Sequence, residues 1–341
     1  QPMGTPLVDE FGSGGIFANQ GKIEITNNQD IKLDGTGTIG IYAYNNSGGA
    51  NTNSKVTNTG TIEVGESTST NAAIGIYGDK SFIANNGNIK TGKEGIGIYG
   101  IKGSTISSLG TLTLGIDGIG VMADGTSSIT ATSVTLAAGA GTDVNGKTGI
   151  FYKGTGSELQ SINVAVDASA FDKGTAIYVE NMNITSSGTL NIGKEGVGIF
   201  VKGNSTQTGT NTGTIDLTSG KTGAVGMYTK TANILNNTSG IINVNDTSQI
   251  GMYAEGTGNK ATNKGTINLN VDSSTGIYVK SGAITDIDTN GIVFAGKSSV
   301  GVFAENATVN FKDNLIFTNN NENKNIYVYG KGATVGIDAG K

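Results

Sequence analysis

The chain has 341 residues, a formal charge of −5, a pI near 4.9, 56 glycines, two prolines, and no cysteine, histidine or tryptophan; all 22 basic residues are lysine. These counts exclude Ser-His-Asp and Cys-His nucleophiles, zinc sites built on His or Cys, and bidentate arginine clamps, and an acidic chain offers nucleic acid no attractive field. Glycine without a three-residue period is not collagen, and regular apolar alternation is not a flexible linker, so the chain should fold, mainly as strand.

In chain order, residues 1–14 read as a lead-in carrying Pro2 and Pro6, and residues 15–341 as one β-helical segment. A triplet of small, aliphatic and aromatic residues then recurs, its aliphatic members being Ile16, Ile41, Ile76, Ile98, Val121, Ile150, Ile177, Ile199, Met227, Met252, Ile277, Val302 and Ile326. Their spacing, near 25 residues over the whole chain, marks a solenoid. Between triplets lies an alternating strand, as in "GTIEV" at 60–64, "GTLTL" at 110–114 and "GTINL" at 265–269. A shorter strand precedes it, as in "SKVTN", "STISS" and "NKATN". Three short strands and three turns per repeat predict an all-β fold, a right-handed parallel β-helix of about 13 coils, because parallel crossovers are right-handed.

Within "GIGIYG" at 95–100, strict alternation predicts Ile96 and Ile98 inward, Gly97 and Tyr99 outward. Gly95, Gly97 and Gly100 also spell G-x-G-x-x-G, the spacing of a dinucleotide-binding turn. That turn must open a helix whose free N–H groups face a pyrophosphate, and the following "IKGSTISSLGTLTLG" reads as turns and strands. The residues after the core aliphatics are Phe17, Tyr42, Tyr77, Tyr99, Met122, Phe151, Tyr178, Phe200, Tyr228, Tyr253, Tyr278, Phe303 and Tyr327, twelve of them aromatic. They predict an outward stripe of rings stacked coil on coil, a possible platform for sugar rings or partner side chains.

Two residues further on, Lys153, Glu180, Lys202, Lys230, Glu255, Lys280 and Glu305 predict a ladder of ion pairs, with Glu255 beside Lys230 and Lys280. Asn58, Asn85, Asn211 and Asn263 recur two residues before a glycine and should hydrogen-bond from coil to coil. Glu94 and Glu195 occupy matching "GKEG" turns and read as turn grammar. With no Asp-Asp pair and no arginine base, no catalytic, cofactor or metal residue is assigned, and a non-enzymatic protein is expected. The repeat is broken most by an insertion from Tyr44 to Lys55, and less at 138–147, 153–161 and 204–211, all expected to be surface turns or loops, where binding residues concentrate.

The motifs "GIGIYG", "NTGTIEVG", "NKGTINL" and "STGIYVKSG" resemble the passenger repeats of the large autotransporter adhesins of fusobacteria, over residues 12–340. The resemblance implies a β-helical stalk, a monomeric rod displayed outside the cell on the outer membrane, which binds a protein or glycan on host cells or other bacteria. It implies membrane attachment only through a C-terminal β-barrel, which this chain does not carry, so a fragment of a longer passenger is expected. A purely structural spacer or fibre is the alternative, and a polysaccharide-degrading β-helix a more remote one. The candidate binding surface comprises Tyr44, Asn45, Asn46, Asn51 and Lys55 in the insertion, and Tyr178, Phe200, Tyr228, Tyr253, Tyr278 and Phe303 in the stripe.

Overall fold

A computed structural model of the chain describes residues 14–19, 22–45, 54–139, 144–287, 291–312 and 324–338. Among these, every helical or extended element is a strand, the strands pair in parallel, and the fold is a right-handed parallel β-helix. The chain divides into two compact units, residues 1–153 with 163–166, and residues 154–162 with 167–341.

In the first unit the triplet strands Gly14–Asn19, Ile39–Tyr44, Ile74–Asp79, Ile96–Ile101, Ile119–Asp124 and Thr148–Lys153 pair in that order. In the second the series is Thr175–Glu180, Val197–Lys202, Val225–Thr229, Ile250–Glu255, Thr275–Lys280, Val300–Glu305 and Ile326–Lys331. Each unit has two further sheets, built from the short strands, such as Ser54–Asn58 or Lys260–Asn263, and from the alternating strands, such as Thr61–Val64 or Thr266–Leu269. Inward positions of all three sheets form aliphatic columns, among them Ile41, Ile76, Ile98 and Val121, and Ile199, Met227, Met252 and Ile277, all fully buried. Each such side chain contributes roughly 1.5–3 kcal/mol by leaving water.

The corners are tied by buried amides. In the first unit Asn27 Nδ2 donates to Asn58 Oδ1 and Asn58 Nδ2 to Asn85 Oδ1, both at 2.7 Å. In the second, Asn211 donates to Asn236 and Asn236 to Asn263 at 2.9 Å. The predicted ladder is therefore present, and it includes Asn27 and Asn236, which the Asn-x-Gly pattern alone does not pick out. Glu94 and Glu195 adopt left-handed turns with φ of 55° and 52°.

Strict alternation fails at one place in the triplet strand. Ile98 points inward and Tyr99 outward as predicted, but Ile96 belongs to an apolar cluster with Ile39, Ile74 and Tyr42 on the aromatic side. Gly97 faces inward instead: a Cβ there would stand 2.6 Å from the Gly120 carbonyl of the next coil and 3.3 Å from Leu112. The strand bends so that two successive residues face the core, and only glycine lets the coils approach that closely. This is the structural use of the G-x-G-x-x-G spacing, and no helix follows it.

The last coil is also displaced by two residues from the sequence reading. Val302 pairs with Val328, Phe303 with Tyr329 and Glu305 with Lys331, so Val328 and Tyr329, not Ile326 and Tyr327, continue the two columns. Tyr327 takes the inward glycine position, its backbone carbonyl beside Gly301, and its ring lies against Phe294 and Phe311 at 5.9 and 6.0 Å. Two of the presumed insertions are likewise built into the fold. Residues 153–161 contain the start of the strand Leu159–Ile162, and residues 204–211 contain buried Gln207 and the strand Thr208–Asn211. Most of the Tyr44 to Lys55 insertion, Asn46 and Asn51 included, lies outside the described residues.

Candidate binding surface

In the second unit the outward position of the triplet sheet is a continuous column of rings: Tyr178, Phe200, Tyr228, Tyr253, Tyr278, Phe303 and Tyr329. Phe200, Tyr228, Tyr253 and Tyr278 lie face to face, with centroids 4.9–5.0 Å apart and planes within 18° of parallel. At both ends of this run the stack turns: Tyr178 meets Phe200 at 81° and Tyr278 meets Phe303 at 88°. The spacing is that of the coils, so the backbone pairing aligns the rings and their edges remain half-exposed.

The predicted ladder borders the stripe. Lys202 pairs with Glu180 at 3.3 Å and Lys331 with Glu305 at 3.0 Å, while Glu255 binds Lys230 at 3.0 Å and Lys280 at 3.2 Å. The rings join this network: Tyr253 donates its hydroxyl proton to Glu255 Oε2 at 2.6 Å and Tyr278 donates to Glu305 Oε2 at 3.1 Å. The Tyr253 hydrogen bond, helped by Lys230 and Lys280, holds the Glu255 carboxyl down at about 2. Burial and the hydrogen bond to Glu255 push the Tyr253 phenol up to about 12.

The first unit carries the same columns with different chemistry. Phe17, Tyr42 and Tyr77 stack at 5.0 and 4.9 Å, and Tyr99 meets Tyr77 edge-on. Ile39, Ile74, Ile96 and Ile119 pack along their flank, so Tyr42 is only 3 % exposed. Its ladder position holds Asp79, whose side chain is 1 % exposed and accepts from Lys102 Nζ at 2.6 Å, with Lys102 also 5.6 Å above the Tyr44 ring. Burial, together with Tyr42 and Asp79, raises the Tyr77 phenol.

The six candidates from Tyr178 to Phe303 thus fall together on one sheet of the second unit. Those of the insertion do not form a comparable group. Tyr44 is half-buried beside Tyr42, Asn45 is 1 % exposed, and Lys55 lies on another sheet, paired with Glu24 at 3.4 Å. Sequence reasoning missed Tyr329 because "IYVYGK" offers two overlapping triplets, and the rule that a charge follows two residues after the ring would have chosen Tyr329 and Lys331. Among the described residues no group of three or more acidic residues could hold a metal ion, and no helix is long and apolar enough to cross a membrane.

Residues 220–291, within the second unit, match a family model described as the BigA third pectate lyase-like domain. No curated protein and no solved structure matches the chain. Together with the fold, the match supports a repeat β-helix of a bacterial surface-associated protein.

Proposed function

We propose that the chain is a passenger segment of an autotransporter adhesin, displayed outside the outer membrane, and that it binds a surface protein or glycan of host cells or other bacteria through the ring face of its second unit. The observation that carries this reading is the continuous, half-exposed column of rings from Tyr178 to Tyr329 with a fixed ion-pair border. Amphipathic rings held rigid by backbone pairing give contact area at little entropic cost, and the bordering charges orient a partner. The reading is of a binding surface, not a catalytic one: Glu255 is committed to three donors and ionises near 2, far from the pKa that suits an acid or base at neutral pH. A structural spacer is favoured by the same stacking, since each ring covers its neighbour.

Binding of the fluorescently labelled chain to epithelial and bacterial cells separates the two. The double variant Phe200→Ala, Tyr228→Ala should lose binding at least about tenfold, a difference of 1.4 kcal/mol, while Ile241→Ala, on another sheet of the same unit, should not. Equal binding by both variants would leave the stack as scaffold only.

A further inference from the structure

The ring column is flanked at one place by a preformed cavity. At the right-angled junction of Tyr278 and Phe303, a cavity of about 260 Å³ opens, lined also by Ser248, Gln249, Ile250 and Thr275. We propose that this cavity is the subsite for a single neutral pyranose ring of a glycan, which makes the adhesion described above glycan-directed at this point; the proposal rests on that reading of the face.

Its size selects the class. Pockets for drug-sized ligands run from about 300 to 1,000 Å³, so this one takes one ring and not an extended peptide. The lining carries no carboxylate and no ammonium, so a charged ligand would lose its hydration without gaining a counter-ion. A pyranose matches what is there. Its C–H face can lie on Tyr278 and Phe303, and its hydroxyls can bond to polar groups at the rim.

Two such groups are available: among the described residues neither the Ser248 nor the Thr275 hydroxyl has a hydrogen-bond partner. Thr275 stands in the outward column between Ile250 and Val300 and brings a hydroxyl where its neighbours bring only methyl groups. Ser248 lines the mouth from a left-handed turn with φ of 62°, a conformation that Ser273 and Ser298 share one and two repeats further on.

The cavity is also rigid. Gln249 is fully buried, its Oε1 accepts from the N–H groups of Asn245 and Asp246, and its Nε2 donates to the carbonyls of Thr218 and Lys221. This pins the turn that carries Ser248. Tyr278 is fixed by stacking on Tyr253 and by its bond to Glu305. A rigid site binds a small ligand without an ordering cost.

The test is saturation-transfer NMR on the whole chain with the methyl pyranosides of glucose, galactose and mannose, alongside methyl glucuronide and N-acetylphenylalaninamide. Transfer to the ring C–H protons of at least one neutral pyranoside is expected. It should fall about tenfold in Thr275→Ile, which fills the cavity with the residue found at position 250, and measurably in Ser248→Gly, which the backbone favours. Both variants should melt no lower than wild type. Transfer unchanged in Thr275→Ile, or seen only with the uronide or the amino-acid amide, overturns the proposal. If wild type binds cells but no pyranoside, the subsite is wrong and the adhesive face stands. If wild type binds neither, the functional reading fails with it.

Discussion

The two units share a repeat and differ in how they finish its outer face. In the first, Ile39, Ile74, Ile96 and Ile119 close over the tyrosines, and the ladder carries a buried carboxylate, Asp79 under Lys102, with Asp124 beside Lys153 further along. In the second, the corresponding positions are Thr175, Val197, Val225, Ile250, Thr275, Val300 and Ile326, and the ladder is a half-exposed chain of lysines and glutamates. Val or Thr at five of these seven positions, and glutamate where the first unit has aspartate, leave an accessible surface in place of a satellite core. The inner columns are not involved, which is how one fold carries both faces.

That separation can be broken by experiment, most severely from the inside. Ile98→Asp in the first unit and Ile199→Asp in the second should each bury an unpaired carboxylate and cost ~4 kcal/mol or more. Hydrogen exchange resolved by peptide should show loss of protection over several coils on both sides of each substitution. Protection retained at either site would mean that the two interiors differ as well.

The ladder positions should separate the units next. Lys102→Met strands the buried Asp79 carboxylate and should cost about 3 kcal/mol. Lys280→Met leaves Glu255 with Lys230 and Tyr253 and should cost less than about 1 kcal/mol. Denaturant titration followed by circular dichroism measures both, and equal costs would remove the distinction between a buried and a surface ladder.

The flanking column gives a smaller contrast. Ile96→Thr opens the apolar cluster and should cost about 1–2 kcal/mol, whereas Val225→Thr, already partly in water, should stay within about 0.5 kcal/mol. Thermal melts of the two variants test this.

Acid should sharpen the picture with the gentlest change. Glu255 ionises near 2 when folded against its ordinary 4.5, so its stabilisation is complete above about pH 4.5 and is lost as pH falls toward 2. Glu158, held near 2 by the Thr155 hydroxyl and the turn N–H groups it accepts from, adds to the same window. Stability of Glu255→Gln relative to wild type should therefore converge as pH drops from 4.5 to 2, with the gap confined to peptides of the second unit.

Much of this was legible in the residues. A 25-residue period and its alternating strands require stacked coils, since no single coil can bury its own apolar face. Period 2 sent Ile98 inward and Tyr99 outward, and identical register placed Glu255 between Lys230 and Lys280, because parallel strands align equal repeat positions at one coil spacing. What the pattern could not contain is any contact set by the next coil's backbone. Gly97 faces inward because a carbonyl of Gly120 stands where a side chain would be, and this turns Ile96 outward against a strict alternation. The choice between Tyr327 and Tyr329 was equally open in sequence and was decided by pairing with Phe303 and by the space beside Phe294 and Phe311. The cavity at Tyr278 depends on a ring torsion and on a turn pinned by Gln249 from below. Local periodicity determines which residues share a column; which columns close, bend or open is decided by three-dimensional packing, where each side chain meets atoms about 25 residues away in the chain.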